Sequence, residues 1–346
     1  MDVAHLLHTL QACRPEQKAI FGFDAFIDRI SHHVSGLGDG TIGSMTELGS
    51  RLIARDNKSG AVFLEDVQEL IGGNAPNTAK TLGTLGANVT CICALGYPHT
   101  KEVFLPLEEY CRLISYAEPG TCLAVELGQS KLFFSHNGEM EDITWDAFCA
   151  RLGKDRLLKK YADADLIGLF NWGELSSTQR IWDGMLEDIF PHLPHGARTL
   201  FFDFSDISAR SDADLKKLKE TLTKFRQYGK VYVSANQLES RLLNGGQWVQ
   251  DGICDIFITH GKTEAALIGQ DEAISLPTRF QPAPKRLTGG GDSFNAGFCY
   301  ALMCSLDHKS CLMVANAVAN CLITTQTPPD LAALCDEIQK CRDLWA

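Results

Sequence analysis

The residues best placed to do chemistry lie near the C-terminal end. There Leu287-Thr288-Gly289-Gly290-Gly291-Asp292-Ser293-Phe294-Asn295-Ala296-Gly297-Phe298 runs three consecutive glycines into an aspartate just where an apolar-periodic helix begins. A glycine-rich turn that opens a helix presents N–H groups without intrahelical partners, at the positive end of the helix dipole, and glycine lets an anionic oxygen approach without a Cβ in the way. Gly289, Gly290 and Gly291 are therefore expected to form an anion hole. A carboxylate at its edge repels a phosphate that merely has to be held, but is useful if it removes a proton beside an incoming phosphoryl group, so Asp292 is the candidate general base. The plainer alternative is a glycine turn with an acidic residue in the first helical turn, a pairing that the dipole favours by itself. A P-loop would need Lys and Ser or Thr after its last glycine, and a dinucleotide fingerprint would follow the first strand; neither description fits.

The elements that must position this segment alternate. Short apolar runs at Lys18–Phe23, Asn88–Leu95, Asp165–Phe170, Arg198–Asp203, Lys230–Ser234 and Cys254–Thr259 predict strands. Helical patterns at Ala75–Leu85, Ser177–Phe190, Asp212–Tyr228 and Gln237–Leu243 lie between them. Such alternation predicts a mostly parallel sheet covered by helices. Asn74 can cap the first of these helices and Pro76 suits its first turn. Two stretches break the rhythm: Ser31 to Glu69 is rich in Gly, Ser and charge, and Thr121–Leu127 with Lys131–Ser135 reads as a hairpin joined by Gly128-Gln129-Ser130. Together they predict either a lid over a cleft or a surface loop with an edge hairpin. After Pro284 the chain is expected to be helical through to Trp345.

Composition narrows the partners. The 346 residues carry a formal net charge of −11, with Lys and Arg scattered, which gives no footprint for nucleic acid or anionic lipid. The apolar run Cys311–Ile323 is interrupted by Asn316 and Asn320 and is too short to span a bilayer, and Met1–Gln17 lacks the continuous apolar core of a signal peptide. Thirteen cysteines leave one over if all were paired, and Cys299, Cys304, Cys311 and Cys321 fall in helical stretches as small hydrophobes, so reduced thiols and a cytoplasmic location are expected.

Thr288–Phe298 closely resembles the C-terminal signature of the ribokinase/PfkB family of carbohydrate kinases, and Gly72-Gly73-Asn74-Ala75-Pro76-Asn77-Thr78-Ala79 with Leu85-Gly86-Ala87 resembles its N-terminal signature. Between them, Asn236-Gln237-Leu238-Glu239 is similar to the family's N-x-x-E motif, although capping by Asn236 also accounts for it. The resemblance covers roughly residues 21–325. It implies a ribokinase-like α/β fold: a single domain, 1–346, with a central, mostly parallel sheet flanked by helices and a small β lid from about 28–70 and 97–145. It implies ATP-dependent phosphorylation of a hydroxyl on a sugar or related polyol. Asp28, Gly72, Gly73 and Asn77 would bind substrate, with Asp24 competing for the role of Asp28. Thr259, Gly261, Asn236 and Asn316 would serve the nucleotide, and Glu239 with Asn236 would hold Mg2+ through water. A nucleoside kinase of the same fold, or a non-catalytic sugar or nucleotide sensor, are the alternatives, and a homodimer through the lid is a further implication.

The match departs around the cation site, and also at Tyr97-Pro98, where the family commonly has an Asp-rich turn, and in the divergent lid region. Where the family has an Asp that helps to bind a monovalent cation, six residues before the base, this chain has Arg286, and the Gly-Ala after the last core helix is missing. A potassium requirement is therefore not expected, with the guanidinium supplying the charge. Asn171-Trp172-Gly173-Glu174, after a predicted strand, is placed to reach the cleft, with packing as the alternative for Trp172.

Overall fold

The computed structural model describes residues 2–36, 40–128, 130–194, 198–286 and 288–345, so Gln129 of the hairpin turn and Leu287 at the head of the glycine segment lie outside the described residues. Nine strands form one sheet in the order Arg112–Ser115, Asn88–Cys93, Lys18–Gly22, Leu166–Phe170, Arg198–Asp203, Gly229–Asn236, Ile256–His260, Glu264–Gly269 and Ala273–Pro277. The first seven run parallel, Glu264–Gly269 turns back antiparallel to them, and Ala273–Pro277, antiparallel to it, runs with the seven again. Parallel strands are covered on both faces and so read as continuous apolar runs; all five residues of Leu166–Phe170 are buried.

Each face has its own core. On one, helices Asn74–Thr84, Gly290–Met303 and His308–Thr325 bury Leu82, Phe298, Leu312 and Val318 against Phe21, Phe201 and Tyr232. On the other, Trp182, Leu218, Phe225 and Trp248 pack on Ile167, Phe202 and Val233. Gly297 lets the two C-terminal helices close on each other, because a Cβ there would lie 2.9 Å from Ala315 Cα. The expected strands and helices are present with ends shifted by at most three residues, and helices Gly290–Met303, His308–Thr325 and Leu331–Lys340 follow Pro284.

Above the sheet's carboxyl ends stand two small sheets. One orders Ser130–His136, Gly120–Leu127, Phe26–Ser31 and Gln68–Gly72; the other joins Gly40–Ile42, His33–Gly36 and Val62–Glu65. Residues 97–119 contribute nothing to them: Glu102–Glu109 forms a 3-10 segment and Arg112–Ser115 is the edge of the main sheet.

Two expectations are corrected. Cys304, read as a reduced core thiol, forms a disulfide with Cys13, because the N-terminal helix Val3–Ala12 ends beside the end of Gly290–Met303 and brings the two Cα atoms to 6.0 Å. That pairing spans 291 residues and has no sequence signal. Asn74 does not cap its helix. Gly73, at φ +97°, takes the N-cap position without a side chain, and the carboxylate of Asp24 accepts from Asn74 N–H (2.7 Å) and Ala75 N–H (3.1 Å) instead.

Candidate active site

The glycine run enters helix Gly290–Met303 through Gly289, at φ +86°, a left-handed conformation that an L side chain resists. The first intrahelical bond is Ser293 N–H to Gly289 C=O at 3.0 Å, which leaves the N–H groups of Gly290, Gly291 and Asp292 with no partner inside the helix. Asp292 stands at the third helical position beside these donors. Burial first, then the charges of Asp203 and Asp24, push its carboxyl well above the usual carboxylate range, while Arg286 and a hydrogen bond from Asn74 pull it back.

Asn74 is a site residue that sequence reasoning gave another job. Its Nδ2 donates to Asp292 Oδ1 at 3.1 Å and its Oδ1 accepts from Ser205 Oγ at 2.7 Å. Ser205 N–H donates to Asp203 Oδ1, whose other oxygen accepts from Asn295 Nδ2, and Asn295 Oδ1 accepts from Ser234 Oγ. The Asp292 carboxyl is thus fixed by a chain of polar groups from two helix starts and from the carboxyl ends of neighbouring strands.

Of the two N-terminal aspartates, Asp24 is fully buried and its oxygens are taken by the helix N–H groups and by Asn171 Nδ2. Asp28 projects over Gly72, where a Cβ would fall 2.2 Å from its Oδ1. Burial raises its pKa to about 6, Arg286 opposing and Asp24 adding to the shift. Asn77 faces the cavity next to Gly289, though its Nδ2 already donates to Gly73 C=O at 2.9 Å. Trp172 is packing: it is buried, donates to Gln179 Oε1 and lies under Arg210, whereas Asn171 and Glu174 form the polar side of that turn.

On the far side of the glycine run, a cavity of about 620 Å3 is bordered by Asn236, His260, Gly261, Phe280, Gly291 and Asn316. Asn316 Nδ2 and His260 Nε2 are buried and find no partner among the described residues. Burial pushes the His260 imidazole down to about 4, which keeps it neutral. Thr259 is not part of this wall, and its hydroxyl pairs with Ser240 Oγ at 2.8 Å. Asn236 and Glu239 form a capping box at the start of Gln237–Leu243, so the helix-capping account of the motif is what the geometry displays. Burial and the nearby charge of Asp203 and Asp206 nevertheless raise the Glu239 carboxyl. A crowd of carboxylates without a counter-charge suits a divalent cation. Among the described residues no three His, Cys, Asp or Glu side chains are grouped so as to hold a metal ion by themselves.

The small sheets touch this centre directly. Lys131 Nζ donates to Thr288 Oγ1 at 3.2 Å, and Thr288 Oγ1 donates to Glu126 Oε1 at 2.7 Å. Arg286 is not a free surface residue: Nε donates to Thr288 C=O at 2.8 Å and Nη1 reaches Gln326 C=O at 3.5 Å, tying the glycine loop to the end of His308–Thr325.

The model of the prokaryotic ketohexokinase family matches residues 2–340. The chain belongs to that family. A curated ketohexokinase of Haloferax volcanii is 26% identical over 331 residues, covering 90% of this chain and 88% of its own. Solved structures with the same fold include adenosine kinase from Sinorhizobium meliloti (TM-score 0.69, 14% identity, 94% of this chain and 99% of that one). An Arabidopsis thaliana ribokinase complexed with ribose and ATP superposes with a TM-score of 0.65 at 15% identity, over 93% and 98% of the two chains. This prokaryotic ketohexokinase relative is therefore a carbohydrate kinase with the ribokinase-like fold. Among the described residues, no helix is long and apolar enough to cross a membrane.

Proposed function

We propose that the chain transfers the γ-phosphoryl group of ATP to a hydroxyl of a ketohexose or a related polyol, with Asp292 as the general base. The observation that carries this is one carboxyl, raised in pKa and oriented by Asn74, at the mouth of three unpaired helix N–H groups. A carboxyl whose pKa is raised has more affinity for the proton it must take. Asp28, Asn77 and the backbone at Gly72 and Gly73 orient the substrate. Asp292 takes the proton of the attacking hydroxyl, and the N–H groups at Gly290, Gly291 and Asp292 receive the oxygens of the transferred group. Asn236 and Glu239 would hold magnesium through water, and the ion would offset charge on the β- and γ-phosphates. Asn316, His260 and Gly261 border the space for the nucleotide. The small sheets serve as the lid, with Lys131 adding a positive charge beside the glycine loop and limiting water access.

The test is ATP consumption over a panel of ketoses, aldoses, polyols and nucleosides with magnesium, for the wild type and Asp292→Asn. Sugar-dependent turnover that falls about 10²–10⁴-fold in the variant is expected; turnover unaffected by the substitution would remove Asp292 from the role of base.

Because Arg286 occupies carbonyl oxygens of Thr288 and Gln326 with its guanidinium, the reading includes independence from potassium. Exchanging sodium for potassium is expected to leave the rate unchanged; a several-fold rise would contradict it. The exposed apolar side chains Val62, Phe63, Phe133 and Phe134 on the small sheets support pairing of two copies through the lid. Sedimentation of the wild type against Phe134→Lys tests this, a shift from dimer to monomer being expected.

A further inference from the structure

At the opposite end of the main sheet from the glycine run, where Arg112 begins the edge strand Arg112–Ser115, the surface opens into a cavity of about 530 Å3. Its wall is wholly charged: Arg112, then Asp155, Arg156, Lys159 and Lys160 of the helix Lys154–Ala162, and Asp163 just beyond that helix. Four cations thus meet two carboxylates in a chain whose net charge is −11.

Helical spacing produces this concentration. Arg156, Lys159 and Lys160 stand at i, i+3 and i+4, so they share one face, and like charges at that spacing destabilise a helix. A basic last turn suits the helix dipole, which accounts for Lys159 and Lys160 but not for Arg156 in the first turn or Arg112 on another element. The neighbouring carboxylates do not neutralise the group. Asp163 is taken by Lys18 at 2.6 Å, and Asp165 accepts from the Lys18 N–H and lies beside Arg198. Asp155 has the four-residue spacing of a helical ion pair with Lys159 and makes none. Among the described residues, the side chains of Arg112, Arg156, Lys159 and Lys160 have no hydrogen bond or ion pair. Lys160 is half-buried, and burial, then Arg112 and Arg156, hold its ammonium below the usual lysine range, Lys18 adding to the shift and Asp163 opposing it.

An anion relieves such repulsion. Guanidinium groups match phosphate oxygens in pairs and an ammonium adds a point charge, and two arginines with two lysines exceed what one phosphate requires. The volume falls in the range of small-ligand sites. On one side the positive surface stops, because the adjoining hollow carries Glu16, Asp163 and Asp165 against Lys18 and Arg198, so the phosphate track of a polymer finds no continuation there. We infer that this cavity binds a small, multiply phosphorylated molecule through Arg112, Arg156, Lys159 and Lys160, at the far end of the sheet from Asp292.

The experiment is calorimetric titration of the full chain with fructose 1,6-bisphosphate, pyrophosphate and inorganic phosphate, the central site being filled with fructose and the magnesium complex of a non-hydrolysable ATP analogue. It is run on the wild type, on Asp292→Asn, and on Arg156→Gln combined with Lys160→Met, whose far-UV circular dichroism serves as the check on folding. The wild type is expected to bind at least one of the two doubly phosphorylated probes about tenfold or more tightly than inorganic phosphate. The combined substitution should weaken that binding about tenfold or more, and Asp292→Asn should leave it unchanged. Wild type that binds neither probe, or a combined variant that binds as tightly as wild type, overturns the site. Binding lost in Asp292→Asn places the probe in the central site and overturns it equally. Inorganic phosphate bound as tightly as the larger probes removes the requirement for more than one phosphoryl group. A DNA duplex bound in a Lys160-dependent way, with the small probes inert, overturns the small ligand in favour of a nucleic-acid surface.

Discussion

For the carboxyl proposed to take a proton, Asp292, two properties matter, and burial supplies the basicity while one amide supplies the constraint. Asn74 donates to Asp292 while Ser205 pins the amide from behind, and that hydrogen bond lowers a pKa otherwise raised by burial and by Asp203. Asn74→Ala is therefore expected to reduce kcat about 10–100-fold with little change in KM for ATP. It should also move the acidic limb of the kcat/KM profile to higher pH, because a bond to the charged form is lost; a simple packing role for Asn74 would leave that limb in place. Asp28 gives a second prediction at this scale. Its folded pKa of about 6 lies above the unfolded value of roughly 3.9. The stability it contributes is thus fully present below about pH 4 and is lost as pH rises through about 6. Asp28→Asn should stabilise the fold relative to wild type at pH 8 but not at pH 4, by on the order of 2–3 kcal/mol, as read by denaturant unfolding at the two pH values.

At the scale of elements, the glycine turn does its work through one backbone angle. Gly289 is the position that demands a left-handed φ, and Gly289→Ala is expected to cost roughly 1–2 kcal/mol of stability and to misplace the N–H groups that follow, lowering kcat more than it raises KM; steady-state kinetics and denaturant unfolding on one preparation would separate the two effects. The parallel strands and the three C-terminal helices were legible in the sequence because buried apolar runs and capped helices leave local signals. The final hairpin Glu264–Gly269 and Ala273–Pro277 and the edge strand Arg112–Ser115 were not, since short strands at the sheet's margins mix polar and apolar residues and depend on their neighbours. The site shows the same division. Gly289 to Asp292 and the Gly72–Gly73 pair could be read as motifs, but Ser205 and Asp203 could not, as each is a lone polar residue. Their shared signal was positional, the carboxyl end of a parallel strand, where open α/β sheets gather their ligands. Asn74 misled for a physical reason. An Asn before a helix is an ordinary cap, and only the fold shows that Asp24 has taken over the capping.

Across the whole molecule, the centre collects acidic groups that a stable protein would keep apart: Asp24, Asp28, Asp203, Glu239 and Asp292 all have raised carboxyl pKa values. Sites assembled for chemistry are commonly held at a cost in stability. Magnesium with a nucleotide is accordingly expected to raise Tm by several degrees, and a chelator to reverse the rise, in a thermal scan with and without added ATP. The bond between Asn74 and Asp292 also sets a schedule. Its two ends are 218 residues apart, which at roughly 5–20 residues per second places the base on the ribosome about 10–40 s after the amide that will hold it. Until then Asn74 has no carboxyl to orient and its helix lacks the partner Gly290–Met303 in the shared core, so the nascent chain is inert. Activity arrives in one step with the last fifth of the polypeptide, which makes the appearance of turnover a clock for the closing contact of the fold.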